Sequence, residues 1–251
     1  MTIRGIRLPM VLSLVIWAVV WEIAGRSDAS FVIPPLSQVV DKMIEIAPTK
    51  TFLNALLITG RSFLAGVGIS VLVGVPLGIV MGRVGWVDKI LLPWVNIFVS
   101  APLTALVPVI MVLFGFGEKT IILTVVLFAI WIIVLNARAG VREISPSLVE
   151  MAHSFGATPL QSFSRIYIWA ALPEILGGIR LGLIRGIKGV IIGQLLVSII
   201  GFGQLFELYS TRFLMSHFWA LNFMILFFAL TMNEGLIWLQ KQVDYYAASR
   251  D

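Results

Sequence analysis

Glu143–Pro173 reads EISPSLVEMAHSFGATPLQSFSRIYIWAALP, an island of polar, well-punctuated sequence between long apolar runs. It is too polar to lie in lipid and too ordered to be a linker. Ser145-Pro146 is a helix-start signal, with Ser145 as N-cap and Pro146 at the first helical position, where a missing N–H costs nothing. Gly156 supplies a stop, which predicts a helix from Pro146 to Phe155. Thr158-Pro159-Leu160-Gln161 repeats the device, with Gln161 completing a capping box. A second short helix is predicted from there into Trp169, before Pro173 redirects the chain. Two short helices joined at a glycine corner make a knob displaying Met151, Phe155, Leu160 and Phe163. Such a patch either packs beneath its own bundle or meets a partner.

The flanking sequence says what the knob projects from. Of 251 residues, 59% are hydrophobic and 12% charged, against roughly 25% charged in soluble domains. Apolar runs of about 20 residues recur, the length that crosses a bilayer. Spans are predicted at about Pro9–Gly25, Phe52–Met81, Thr120–Leu135, Pro173–Ile200 and Phe218–Leu239. A further apolar stretch, Val87–Phe116, is interrupted by Pro93, Pro102 and Pro108, so a single straight helix is not expected there. The fold class is therefore all-α, a polytopic membrane bundle of about six transmembrane helices. Val39, Val40, Met43, Ile44 and Ala47 recur at helical spacing and predict a short surface helix. Arg4 and Arg7 ahead of Leu8–Val20 resemble a signal peptide, but Trp21 and Glu22 follow with no A-x-A site, so an uncleaved first helix is the reading.

The net charge of +5 is spread around the spans and reads as a topology signal, with no nucleic-acid partner implied. Arg4, Arg7, Arg83, Lys89, Arg138, Arg142, Arg165, Lys241 and Arg250 fall on the side of the termini and the knob. Arg26, Lys42, Lys50, Lys119 and Arg212 fall opposite. The positive-inside rule puts both termini and the knob in the cytoplasm.

At the knob the sequence resembles the permeases of binding-protein-dependent ABC importers, whose loop carries Glu-Ala-Ala, a glycine after three more residues, then Ile and Leu-Pro. Here these are Glu150, Met151 and Ala152, then Gly156, Ile166 or Ile168, and Leu172-Pro173. Met151 in place of the first alanine is the one departure within the motif. The likeness extends through Trp21-Glu22, IPPLSQVV from Ile33, Arg61 with Gly66, Gly74 and Gly78, Ala101 through Pro108 to Gly115 and Gly117, and Gly178 with Arg180. These positions look like the nitrate, sulfonate and taurine branch. Gln194 stands where that branch has Glu, and Arg185 and Lys188 stand where uncharged residues are the rule.

The resemblance implies one transmembrane permease domain over 1–251, of type I permease-like fold, with the coupling loop at about 143–173. Its function would be to form the solute path of an importer and couple it to a cytosolic ABC ATPase dimer. The coupling residues it implies are Glu150, Met151, Ala152, His153, Phe155, Gly156, Ala157, Thr158, Leu172 and Pro173. It also implies a second permease copy, an extracytoplasmic solute-binding protein, a place in the bacterial inner membrane among lipid, and a small organic or inorganic anion as solute. ATP and Mg would be bound by the ATPase, with no cofactor in this chain. The alternative is a stand-alone secondary transporter or channel, which predicts internal repeats, and none is visible.

Ionisable and polar groups inside spans are functional candidates by default, so Arg61, Arg185, Lys188, Gln194 and Glu234 are candidates for the translocation path. Arg185 and Lys188, three apart, share a helix face. Snorkelling or structural contacts are the other role for Arg61 and Arg180, and Gln194 or Glu234 could instead satisfy a neighbouring helix. Gly178, Gly182 and Gly186 form a close-packing face, within the subunit or across a dimer. Catalytic chemistry finds no footing: cysteine is absent, and His153 and His217 fall on opposite sides. GFGEKT at Gly115–Thr120 lacks phosphate-loop spacing and reads as a tight turn.

Overall fold

The computed structural model describes the backbone of residues 2–3, 6–27, 31–197 and 199–248. Side chains are described from Leu12 to Gly235, except those of 28–30, His153, Pro159, Leu160, Ser164 and Ser198. His153 and Leu160 of the knob, and Arg4, Arg7, Lys241 and Arg250 of the charge pattern, therefore lie outside the described side chains. Apart from a two-rung antiparallel pair at Thr2–Ile3 and Ile6–Arg7, regular structure among the described residues is helical.

The helices are α1 (Leu8–Arg26), α2 (Leu36–Ile46), α3 (Lys50–Arg83), α4 (Gly85–Ser100), α5 (Val107–Phe114) and α6 (Glu118–Arg142). They continue as α7 (Pro146–Ser154), α8 (Pro159–Ser162), α9 (Ile168–Val197), α10 (Phe202–Thr211) and α11 (Met215–Ala248). By length and composition α3, α6 and Met215–Gly235 of α11 can each cross a membrane, and counting each of two bent pairs as one span gives up to five. The bent pairs are α4 with Leu103–Phe114 and Arg165–Val197 with α10. The first expected span is the 19-residue α1.

α6 lies between α3 and α9, and these two contacts are the most extensive in the chain. The reason is steric. α6 buries Val125, Ala129, Ile133, Val134 and Ala137, and its neighbours present glycines to it. A Cβ at Gly78 would fall 2.5 Å from the Val134 carbonyl, and one at Gly182 would fall 2.6 Å from Ile133 Cγ1. Lipid provides no hydrophobic force between helices, so close approach of this kind carries the association. Gly178, Gly182 and Gly186 thus pack within the subunit, against α6 and, at Gly186, against Val67 and Phe63 of α3.

At the end of the bundle away from α7, the segment 31–37 is strapped down. Trp21 Nε1 donates to the Pro34 carbonyl (3.0 Å) and Trp219 Nε1 to the Val32 carbonyl (2.8 Å). Both Glu22 oxygens accept from Ser37, one from its amide and one from its hydroxyl, each at 2.9 Å. The Trp21-Glu22 and IPPLSQVV segments are therefore one structural unit. Beneath it α2, the start of α3, α10 and the start of α11 bury Val39, Ile46, Phe52, Phe202, Leu205 and Leu221 together.

Prolines and boundaries account for the differences from the sequence reading. Of the three prolines between Val87 and Phe116 only Pro102 breaks the helix, with a 99° bend. Pro93 sits inside α4, and Pro108 occupies the first turn of α5, where a missing N–H is harmless. Pro173 does not redirect the chain. It lies inside α9, which is entered through a π-helical turn, Phe163–Tyr167. Backbone groups freed by proline in membrane helices are satisfied by local adjustment and neighbours. α6 is longer than Thr120–Leu135 at both ends, and α10 fills a stretch for which the pattern gave no element. The Gly115–Gly117 turn is as expected, with both glycines at positive φ (82° and 134°).

Candidate functional site

The knob is built by local hydrogen bonds. After α7 the Phe155 amide reaches the Met151 carbonyl (3.1 Å) and the Ala157 amide the Ala152 carbonyl (3.0 Å). That second bond, with Gly156 at φ +74°, is a Schellman stop. The next helix starts on the predicted capping box: the Thr158 amide donates to Gln161 Oε1 (2.8 Å) and the Gln161 amide to Thr158 Oγ1 (3.3 Å). At the first start the Ser145 and Ser147 hydroxyls bond each other (2.6 Å), and the Leu148 amide reaches the Ser145 carbonyl (3.1 Å).

These constraints hold two large apolar side chains in the open. Phe155 is 85% exposed and Met151 50%. Ala152 is buried, and Glu150, Gly156 and Thr158 are exposed with Ala157 half-buried. Leu172 and Pro173 sit away from the knob, in the first turns of α9.

Three helix ends meet beside the knob. A cavity of about 530 Å³ is lined by Gly82 and Arg83 from α3, Val141 and Arg142 from α6, and Pro146, Val149, Glu150 and Tyr167 of the loop. The Arg83 guanidinium lies over the Tyr167 ring, 4.6 Å from its centroid, and 5.6 Å from that of Phe163. Asp88 at the start of α4 is 4% exposed and accepts from Arg138 through both carboxylate oxygens, the NH2 bond measuring 2.8 Å. Arg142 adds a contact of 3.3 Å to the same group. Sequence reasoning counted the arginines as topology markers and passed over Asp88. An acidic residue opening an apolar stretch was the available signal.

The path candidates separate into distinct settings. Arg61 forms a two-pronged pair with Glu118, its Nε at 2.6 Å, and Ser62 donates to the same carboxylate at 3.3 Å. Gln194 is fully buried; its Nε2 donates to Thr59 Oγ1 (2.8 Å) and its Oε1 accepts from the Phe202 amide (3.3 Å). It joins α9 to α3 and α10. Arg185 is half-buried, whereas Lys188 and Glu234 are exposed. Arg180 is half-buried with its Nε unpartnered among the described residues.

A second cavity, of about 580 Å³, opens at the strapped end between Arg26, Phe31, Gln38, Lys42, Phe213 and His217. Phe213 holds a left-handed φ of 55°, uncommon for a bulky residue. Lys42 donates to Glu45 at 2.5 Å, and this bond holds the Glu45 carboxyl below the usual carboxylate range.

Comparison with known proteins agrees with this arrangement. In sequence the chain is 31% identical over 196 residues to the taurine transport system permease protein TauC of Escherichia coli (strain K12), covering 76% of this chain and 70% of that protein. It is 25% identical over 196 residues to the formylaminopyrimidine transport permease protein ThiX of Halalkalibacterium halodurans, covering 78% of each. In structure it resembles an inward-facing form of the MetNI methionine ABC transporter with TM-score 0.59 and 20% identity, covering 77% of this chain and 93% of that one. Residues 74–244 match the family described as binding-protein-dependent transport system inner membrane component. A membrane bundle with this fold, these relatives and a helical knob between its spans belongs to that family, the membrane-spanning permease subunits of ABC importers.

Proposed function

We propose that this chain, acting as one transmembrane domain over 1–251, couples import of a small organic or inorganic anion to a cytosolic ABC ATPase dimer that docks on the knob from Glu150 to Thr158. The observation that carries this reading is the pair Phe155 and Met151, held open by the Schellman stop and the capping box. A rigid corner bearing exposed apolar side chains suits insertion into a cleft of a partner. ATP and Mg belong to that partner. His153, Leu172 and Pro173 complete the implied coupling set, the last two by carrying motion from the knob into α9.

The solute path runs between two copies of this chain. Lys188 supports it: an exposed ammonium on a spanning helix is costly against lipid and is relieved by an aqueous path or a polar partner surface. Arg185 lies on the same face. The taurine permease among the relatives supports a solute that carries a sulfonate or similar anionic group. Arg61, paired with Glu118, and Glu234 lie at the margins of the path, and Gln194 braces its wall. A solute-binding protein docks at the strapped end, where Phe31 and Phe213 are exposed. Both termini and the knob face the cytoplasm of a bacterium with this chain in its inner membrane. The test is purification with the ATPase encoded alongside it and reconstitution in proteoliposomes. Solute-stimulated ATP hydrolysis that needs the binding protein is expected, and a chain that moves solute without the ATPase would overturn the reading.

A further inference from the structure

The knob is joined by the chain itself to two helices: α6 runs into it and α9 runs out of it. α3, the other helix of the central layer, has no covalent link to the knob. Yet its last residue, Arg83, reaches across and lies over Tyr167 at 4.6 Å and Phe163 at 5.6 Å. The two rings stand four residues apart at either end of the π-helical turn that joins the knob to α9. Single π turns of this kind are frequent at functional sites. A guanidinium over ring faces is attracted by their quadrupoles.

We infer that Arg83 is a positioning residue that delivers movement of the knob to α3 through its seat on Tyr167 and Phe163. The inference rests on the reading that the knob meets an ATPase. α3 is packed closely on α6 through its glycines, and Arg83 adds a direct tie from the end of α3 to the turn between the knob and α9. Without Arg83 the knob still docks and still turns α6 and α9, while α3 follows through α6 alone and lags behind α9. ATP is then spent with little solute moved.

The test uses the reconstituted complex and reads ATP hydrolysed per solute imported. Arg83→Ala and Tyr167→Leu are expected to keep the ATPase bound and raise that ratio about fivefold or more, the lower range of coupling between sites. Tyr167→Phe, which keeps the ring, is expected to stay at the wild-type ratio. Three results overturn the inference: an unchanged ratio in both Arg83→Ala and Tyr167→Leu, loss of the ATPase from both, or failure of Tyr167→Phe to behave as wild type. A wild-type chain that never binds the ATPase is a different outcome, and removes the functional reading together with this one.

Discussion

At Gly156 nothing lies within 4 Å of where a Cβ would stand, so the need for glycine there is conformational and not steric. With φ at +74°, any L side chain costs about 1–2 kcal/mol in that region, and valine, branched at Cβ, is among the worst choices. Gly156→Val is expected to move the knob off its Schellman geometry and to abolish transport while the protein still inserts in the membrane. Glu150→Lys, on the exposed face of α7, is expected to weaken transport less severely. Co-purification with the ATPase and solute-stimulated hydrolysis are the measurements, and wild-type values for Gly156→Val would remove the knob as the coupling element. Gln194 shows the opposite kind of constraint. Its Nε2 donates to Thr59 and its Oε1 accepts from the Phe202 amide, so this fully buried side chain braces α9 against α3 and α10.

Between elements, α4 is tied to α6 by an ion pair. Asp88 binds Arg138 and Arg142 in a nearly buried site, and removing one partner leaves the other charge uncompensated. Asp88→Ala is expected to destabilise the chain by about 3 kcal/mol or more, read as a lower midpoint of thermal unfolding in detergent. A midpoint equal to wild type would mean that the arginines find other partners. Which elements were legible follows from the same distinction between local and distant causes. The stop at Gly156, the box at Thr158 and Gln161, and the turn at Gly115–Gly117 each depend on residues within a few positions, and each stands where the sequence put it. Pro93 and Pro173 could not be judged locally, because whether a proline breaks a membrane helix depends on what satisfies the freed carbonyl. α10 was invisible because its buried face, Phe202 and Leu205, is defined only by α3, α9 and α11 packed against it. The seats of Arg83 and Gln194 were hidden likewise: each partner lies on another helix, and charge counting sees only the sign.

For the whole molecule, orientation and path are linked by where charge lies. The end of α1 meets the start of α11 through Trp21 and Trp219, whose ring centroids are 4.8 Å apart, so the two helices run in opposite directions from the strapped end. With no native cysteine, single reporters can be placed without background. A cysteine at Ser147 is expected to label only from the cytoplasm and one at Thr51, in the first turn of α3, only from outside; the reverse pattern would overturn the orientation drawn from the basic residues. Within that frame Arg185 and Lys188 are the charges hardest to account for structurally. Arg61 has Glu118 and Arg138 has Asp88, whereas Lys188 stands exposed on a helix that must cross the membrane. Bare contact with lipid is the costliest setting for an ammonium, so it is relieved only where a second subunit or water covers that face. An anion moving along the face would meet two cations on one side of a helix. Arg185→Gln combined with Lys188→Gln is expected to lower transport several-fold while the complex with the ATPase assembles as before. The double variant should also lower the apparent affinity for a sulfonate more than that for a neutral solute. Transport of an uncharged or cationic solute, untouched by the double change, would dissociate these residues from the path and leave the second subunit as their partner.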